Sequence, residues 1–153
     1  MTKSKPTVVT QVEDEHILLK QEMGALSMFA MQEKMNSDFG EWRLQFVWQL
    51  RDFKNRLLKH FDLEEEGGFM RDVLKISPQS LRKVDDLKAE HEKIAADLDR
   101  LTATMRAMRE RNSEVLQSVR SDLNEIIVAL RKHESEENQL IQRAYYREYG
   151  GPA

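Results

Sequence analysis

The sequence predicts an all-α protein, an antiparallel up-down-up-down four-helix bundle. Apolar residues recur at steps of three and four in four long segments, which is the spacing of a helix with one buried face. Only six glycines and three prolines occur in 153 residues, so long helices can run uninterrupted. The links between the segments are short, and short links favour antiparallel neighbours.

The chain divides into a polar start and one bundle. The sequence predicts a flexible N-terminal arm over residues 1–11 and the bundle over residues 12–149. The four long segments are Glu13–Met35, Asp38–Glu66, 77–109 and 113–149. A short helical piece, Phe69–Ile76, precedes the third of them.

Turn and capping residues separate the segments. Asn36-Ser37-Asp38 offers short polar side chains that cap the second segment. Gly67-Gly68 ends that segment, and Ser77-Pro78 predicts an N-cap followed by a first-turn proline. Asn112-Ser113 marks the third turn, and Gly150-Gly151-Pro152 stops the last segment. Each break thus has a local physical cause.

Each segment has one seam that should face the bundle interior. The apolar seam residues are Val12, Leu19, Met23, Leu26 and Ala30; Phe46, Leu50, Phe53 and Leu57; Val84, Leu87, Ile94, Leu98, Leu101 and Met105; Leu116, Val119, Leu123, Ile126, Leu130 and Leu140. Polar residues also occupy the seams, and they are His16, His60, Glu64, His91, His133 and Glu137. All four histidines of the chain are therefore predicted to point inward, one from each helix.

The histidines should meet at one level along the bundle. His16 and His60 lie about 21 and 23 residues from the turn at Ser37, at a rise of ~1.5 Å per residue. His91 and His133 each lie about 21 residues from Asn112, so the expected mismatch is about 3 Å. Each glutamate follows a histidine by four residues, on the same helix face but about 6 Å further along the axis.

This donor set predicts a metal site. Two buried carboxylates repel each other and are costly without a partner, and one or two cations remove both costs. Imidazole with carboxylate suits iron, manganese or zinc, and the absence of cysteine excludes thiolate ligation. The alternative is an interior hydrogen-bonded network, but no arginine or lysine lies on the seams at that level.

Composition excludes several classes of protein. The net charge is −3 with both signs interleaved, and without a basic stripe nucleic acid is not an expected partner. No run approaches ~18 apolar residues, so no membrane span is expected. The sequence predicts a soluble, cytoplasmic protein.

Four stretches resemble the hemerythrin-like (HHE cation-binding) domain family. They are Glu15-His16, His60–Glu66, Glu90–Glu92 and His133–Glu137, and the resemblance covers roughly residues 10–148. It implies a four-helix bundle with an oxo- or hydroxo-bridged di-iron site. His16 and His60 would bind one iron, His91 and His133 the other, and Glu64 and Glu137 would bridge them.

The sequence departs from oxygen-carrying hemerythrins at two places. Ala95 stands where they have a further histidine, and Asn138 stands where they have an aspartate. The resemblance therefore implies open metal positions and a protein that binds or senses oxygen, nitric oxide or iron, rather than an oxygen carrier. A di-iron oxidase or peroxidase acting on oxygen or peroxide, and a metal-free helical interaction module, remain the alternatives, so whether the chain is an enzyme stays open, as does its oligomeric state.

Overall fold

The computed structural model describes residues 7–33 and 38–146. Within these ranges the chain forms five α-helices, a 3₁₀ turn and a π-helical turn, and it contains no strand. No helix among them is both long enough and apolar enough to cross a membrane. The helices are α1 (Thr7–Met31), α2 (Phe39–Glu65), α3 (Phe69–Ile76), α4 (Leu81–Ala107) and α5 (Ser113–Ile141).

The four long helices form a closed ring. Helix α1 packs beside α2 and α5, and α4 packs beside the same two helices from the other side. The links are short, so successive long helices run in opposite directions. The predicted antiparallel four-helix bundle is confirmed, with α3 as an eight-residue piece between α2 and α4.

The interior consists of two apolar clusters separated by a polar layer. Every predicted seam residue is buried. The larger cluster contains Leu57, Ile94 and Leu130. The smaller contains Leu87 and Leu140, which lie about two and three helical turns from Ile94 and Leu130 on the same helices. His16, His91 and His133 lie between these two clusters in sequence, so the polar layer has apolar packing on both sides along the axis.

Side-chain caps begin two of the long helices. An Oδ1 atom of Asp38 accepts the backbone N–H of Glu41 at 3.1 Å, and Oδ1 of Asn112 accepts that of Val115 at 3.1 Å. Both caps satisfy a backbone donor that the first helical turn leaves free. Helix α2 ends before Gly68, whose φ of 96° lies in the left-handed region that favours glycine. Residues 36 and 37 of the predicted cap lie outside the described residues.

The predicted N-terminal arm is too long. Helix α1 begins at Thr7, and residues 7–11 belong to the bundle rather than to an arm. The reason is that Val9 lies one helical turn from Val12, and both are fully buried in the smaller apolar cluster. Residues 1–6 lie outside the described residues, as do residues 147–153, where the predicted bundle end and glycine-proline stop fall.

The start of the third long helix also differs from the prediction. Pro78 begins a 3₁₀ turn that ends at Ser80, and the α-helix begins only at Leu81. Ser77 does not cap this segment with its side chain, because its hydroxyl is hydrogen-bonded to the hydroxyl of Ser80 at 2.9 Å. The proline occupies a first-turn position, as expected, but of the 3₁₀ turn.

Candidate metal centre

Each long helix contributes one imidazole to the polar layer. The ring centroids of His16 and His60 lie 5.1 Å apart, and those of His91 and His133 lie 4.9 Å apart. All four rings are buried. The histidines therefore meet at one level, as the counting of residues from the turns predicts.

Glu64 and Glu137 join the two pairs of imidazoles. One oxygen of Glu64 lies 3.2 Å from Nε2 of His60, and the other lies 2.8 Å from Nε2 of His91. Glu137 does the same for the other two rings, with 2.9 Å to Nε2 of His16 and 3.2 Å to Nε2 of His133. Each carboxylate thus spans one histidine from each pair.

The carboxylates lie nearer to the imidazoles than the sequence predicts. A helical rise alone places Glu64 and Glu137 about 6 Å along the axis from the histidines. Helical side chains lean towards the N-terminus of their helix, so a glutamate four residues after a histidine reaches back to its level. Because of this lean, all six side chains lie in one layer.

The six side chains form two overlapping groups that could each hold a metal ion. In each group one ligand atom per residue lies within 4.8 Å of the others. The first position has His16 and His60, the second position has His91 and His133, and both share Glu64 and Glu137. Each group by itself offers two imidazoles and two carboxylates to a cation.

Several inward atoms lack a hydrogen-bond partner. Among the described residues, both oxygens of Glu64, Oε2 of Glu137 and Nε2 of His60 are buried, and their close imidazole–carboxylate contacts do not have hydrogen-bond geometry. Leaving such atoms unsatisfied costs about 1–3 kcal/mol each, and more for charged groups. A metal ion would accept these lone pairs, and imidazole with carboxylate fits iron, manganese or zinc. The residues present therefore fit a metal centre.

The outward nitrogens are all held by acceptors from neighbouring helices. Nδ1 of His60 donates to Glu15 at 2.7 Å, and Nδ1 of His91 donates to Glu65 at 2.6 Å. Nδ1 of His133 donates to Glu90 at 2.8 Å. Nδ1 of His16 donates to Oδ1 of Asn138 at 3.1 Å. These contacts fix each ring with Nε2 pointing inward, which is how histidine ligands are oriented in metal sites.

The four outer acceptors follow one rule that sequence reasoning missed. Each is the chain neighbour of an inward residue on its own helix and holds the histidine of an adjacent helix. Glu15 next to His16, for example, supports His60 of α2. The support passes from α1 to α2, then to α4, to α5 and back to α1. The signal in the sequence is a carboxylate or amide next to each of four seam residues.

Ion pairing favours the protonated form of two of the imidazoles, those of His60 and His133, in the metal-free protein. Burial opposes protonation of His60, but hydrogen bonding and attraction to Glu64 outweigh it and raise the pKa of His60 to about 9. Burial likewise opposes protonation of His133, while Glu137 and Glu64 raise its pKa to about 11. The imidazoles of His60 and His133 thus interact with the charges of both glutamates.

Two surface grooves reach the layer from opposite sides. The α1–α5 groove has a volume of about 600 Å³ and is lined by His16, Asn138 and Glu134, among others. The α2–α4 groove, of about 280 Å³, is lined by His91, Phe61 and Ala95, among others. Small molecules or ions can therefore approach each histidine pair from its own side.

Glu134 is the unusual residue of the α1–α5 groove. It is only 8% exposed, and its Oε2 atom is buried without a hydrogen-bond partner. Burial raises the pKa of its carboxyl group, while the nearby imidazole of His16 opposes that change. The groove thus contains a buried carboxyl group that the six inward residues do not use.

Fold and donor set together define a cation-binding four-helix bundle. The model of the hemerythrin family, described as the hemerythrin HHE cation binding domain, matches residues 7–145. The chain belongs to this family, which confirms the resemblance seen in the sequence. No curated protein and no solved structure gave a significant match to the chain.

Proposed function

We propose that this protein binds two iron ions and uses the centre to bind or sense oxygen, nitric oxide or iron. One observation supports the proposal above all: two four-residue groups share Glu64 and Glu137 and differ only in their histidine pair. A single metal would need only one of these groups. The doubled set favours a dinuclear centre.

The chain's own residues would hold the centre in a defined way. His16 and His60 would bind the first iron, His91 and His133 the second, and the two glutamates would bridge them. The outer acceptors keep each Nδ1 protonated, so that each Nε2 is free to bind metal. Once bound, a di-iron centre supplies redox-active metal with open positions for a small ligand.

The two departures from oxygen carriers favour a role other than oxygen transport. Ala95 offers no ligand atom, and it lines the α2–α4 groove beside His91. The space that a histidine would fill is therefore available to a small molecule. Asn138 supports His16 from outside the layer. Open positions at both ends favour reaction with oxygen, peroxide or nitric oxide over simple storage of oxygen.

Metal analysis with an absorption spectrum of the oxidised protein tests the proposal. We expect close to two irons per chain and near-ultraviolet absorption of a bridged ferric pair. His60→Ala and Glu64→Ala should lose iron and this absorption, whereas Lys59→Ala, an exposed neighbour, should keep both. Full occupancy and an unchanged spectrum in the first two variants would show that the assignment is wrong.

Rapid mixing of the diferrous protein with oxygen separates the possible roles. Slow oxidation without turnover supports sensing, and a stable, reversible adduct supports oxygen binding. Irreversible oxidation with turnover of peroxide supports an oxidase or peroxidase instead. If the chain holds less than about a tenth of an equivalent of metal after iron loading, the result would favour a metal-free helical interaction module.

A further inference from the structure

We infer that the two metal positions are unequal, and that the first position, with His16 and His60, is the weaker and exchangeable one. This inference rests on the proposed dinuclear centre. The inward donors of the two positions are the same: two imidazoles and the two shared carboxylates. Any difference in affinity must therefore come from what surrounds these donors.

The outer acceptors provide the first difference. In the second position, both histidines donate to carboxylates, Glu65 and Glu90. In the first position, His60 donates to a carboxylate, but His16 donates to the neutral amide of Asn138. A carboxylate acceptor makes imidazole a stronger donor to metal, and its charge favours a cation nearby. The first position has one such acceptor and the second has two.

The contact between His16 and Asn138, which completes the circle of outer hydrogen bonds, is also the longest of the four. The three carboxylate contacts measure 2.6–2.8 Å, whereas His16 and Asn138 are 3.1 Å apart. Charge-assisted hydrogen bonds are shorter and about twice as strong as neutral ones. The orientation of His16 is thus the least firmly held of the four.

Aromatic packing provides the second difference. The ring of Phe61 stacks on His91, with centroids 3.9 Å apart and planes 13° apart. The same ring meets His133 edge-on at 5.7 Å. The contact of Phe61 with His60 is looser, at 6.2 Å. The imidazoles of the second position are therefore packed more firmly before any metal arrives, and preorganised donors bind metal more tightly.

Access provides the third difference. The α1–α5 groove beside His16 is about twice as large as the α2–α4 groove beside His91. Glu134 lines this groove together with His16, and its buried Oε2 atom, which has no hydrogen-bond partner, offers an oxygen to a passing cation. Metal should therefore enter and leave the first position through this groove.

The consequence is a protein with a one-metal state and a two-metal state. The second position fills first, and occupancy of the first position follows the supply of metal. Such a difference would let a small helical bundle report the amount of available iron through its own loading.

Titration of the metal-free chain with Fe²⁺ under anaerobic conditions, measured by calorimetry, tests this inference. We expect two binding events that differ by at least about tenfold in affinity, the usual scale of an outer hydrogen-bond partner. Asn138→Asp should tighten the weaker event by about tenfold and leave the tighter event unchanged. Asn124→Asp, an exposed change of the same kind on α5, should alter neither.

A second variant keeps the test decisive if Asn138→Asp does not fold by circular dichroism. Glu90→Gln removes a carboxylate acceptor from the second position, so the two events should move closer together. Two equal or cooperative events in the unaltered chain, or a change of the tight event alone in Asn138→Asp, would overturn the inference while leaving the dinuclear centre intact. Binding of one iron or none would instead contradict the proposed function itself.

Discussion

The Oε1 atom of Glu137 on α5 lies 2.9 Å from Nε2 of His16 on α1. The other oxygen of this carboxylate faces His133, so in the proposed centre one side chain would serve both metal positions. Glu137→Ala should therefore abolish binding of both irons, whereas His16→Ala should remove mainly one. Inductively coupled plasma analysis after iron loading measures the difference. Glu125→Ala, an exposed change on the same helix, is the control, and retention of two irons in Glu137→Ala would exclude a bridging role.

The raised pKa values predict a pH dependence of stability that is larger in the metal-free protein than in the iron-loaded protein. The pKa of His60 rises from 6.5 to about 9 and that of His133 to about 11, because Glu64 and Glu137 face them and Glu15 also faces His60. A raised histidine pKa contributes stability that is complete below pH 6.5 and is lost as pH rises through the folded-state value. The metal-free protein should thus lose stability from about pH 6.5 upward, with the contribution of His60 gone by about pH 9 and that of His133 by about pH 11.

Thermal unfolding at pH 7 and pH 10 checks this expectation. The iron-loaded protein should lose less on the same change of pH, because metal then replaces the proton on Nε2. Glu64→Gln removes a charged partner of the imidazoles, so its metal-free form should also lose less. An equal loss with and without iron would assign the effect to surface lysines and tyrosines instead.

The inward residues could be predicted from the sequence because their signal is periodic. Steps of three and four place Leu57, His60 and Glu64 on one face whatever the neighbouring helices do. Equal distances from the turns then fix the common level of the histidines. These properties depend only on helix geometry, and the structure shows the same seams and the same layer.

The outer acceptors depend on packing, which periodicity does not determine. Glu15, Glu65 and Glu90 lie at the edges of their helices, about a third exposed. Edge glutamates usually face solvent, and which histidine one meets depends on helix order and rotation in the ring. The start of α1 was missed for a related reason. Two valines in an otherwise polar stretch become buried only because other helices of the bundle provide an apolar surface for them.

Glu134 should affect how fast the first position fills. Glu134→Gln keeps the size of the side chain but removes the anionic oxygen that is buried in the α1–α5 groove. We expect slower uptake of the second equivalent of Fe²⁺ in stopped-flow loading, with affinities in calorimetry little changed. Glu125→Gln on the exposed face of α5 should load at the normal rate. A lost binding event in Glu134→Gln would make this residue a ligand rather than part of the route.

Val9 should stabilise the bundle although it lies in the stretch that the sequence predicts as an arm. Its side chain is fully buried and packs in the apolar cluster that includes Val12, Leu87 and Leu140. Val9→Ala removes two methyl groups from a packed site and should lower the free energy of unfolding by about 1–3 kcal/mol. Thr10→Ala is exposed and should stay within about 0.5 kcal/mol of the unaltered chain. Urea denaturation of the metal-free proteins compares them, and equal stabilities of the two variants would show that α1 does not dock at its first turn.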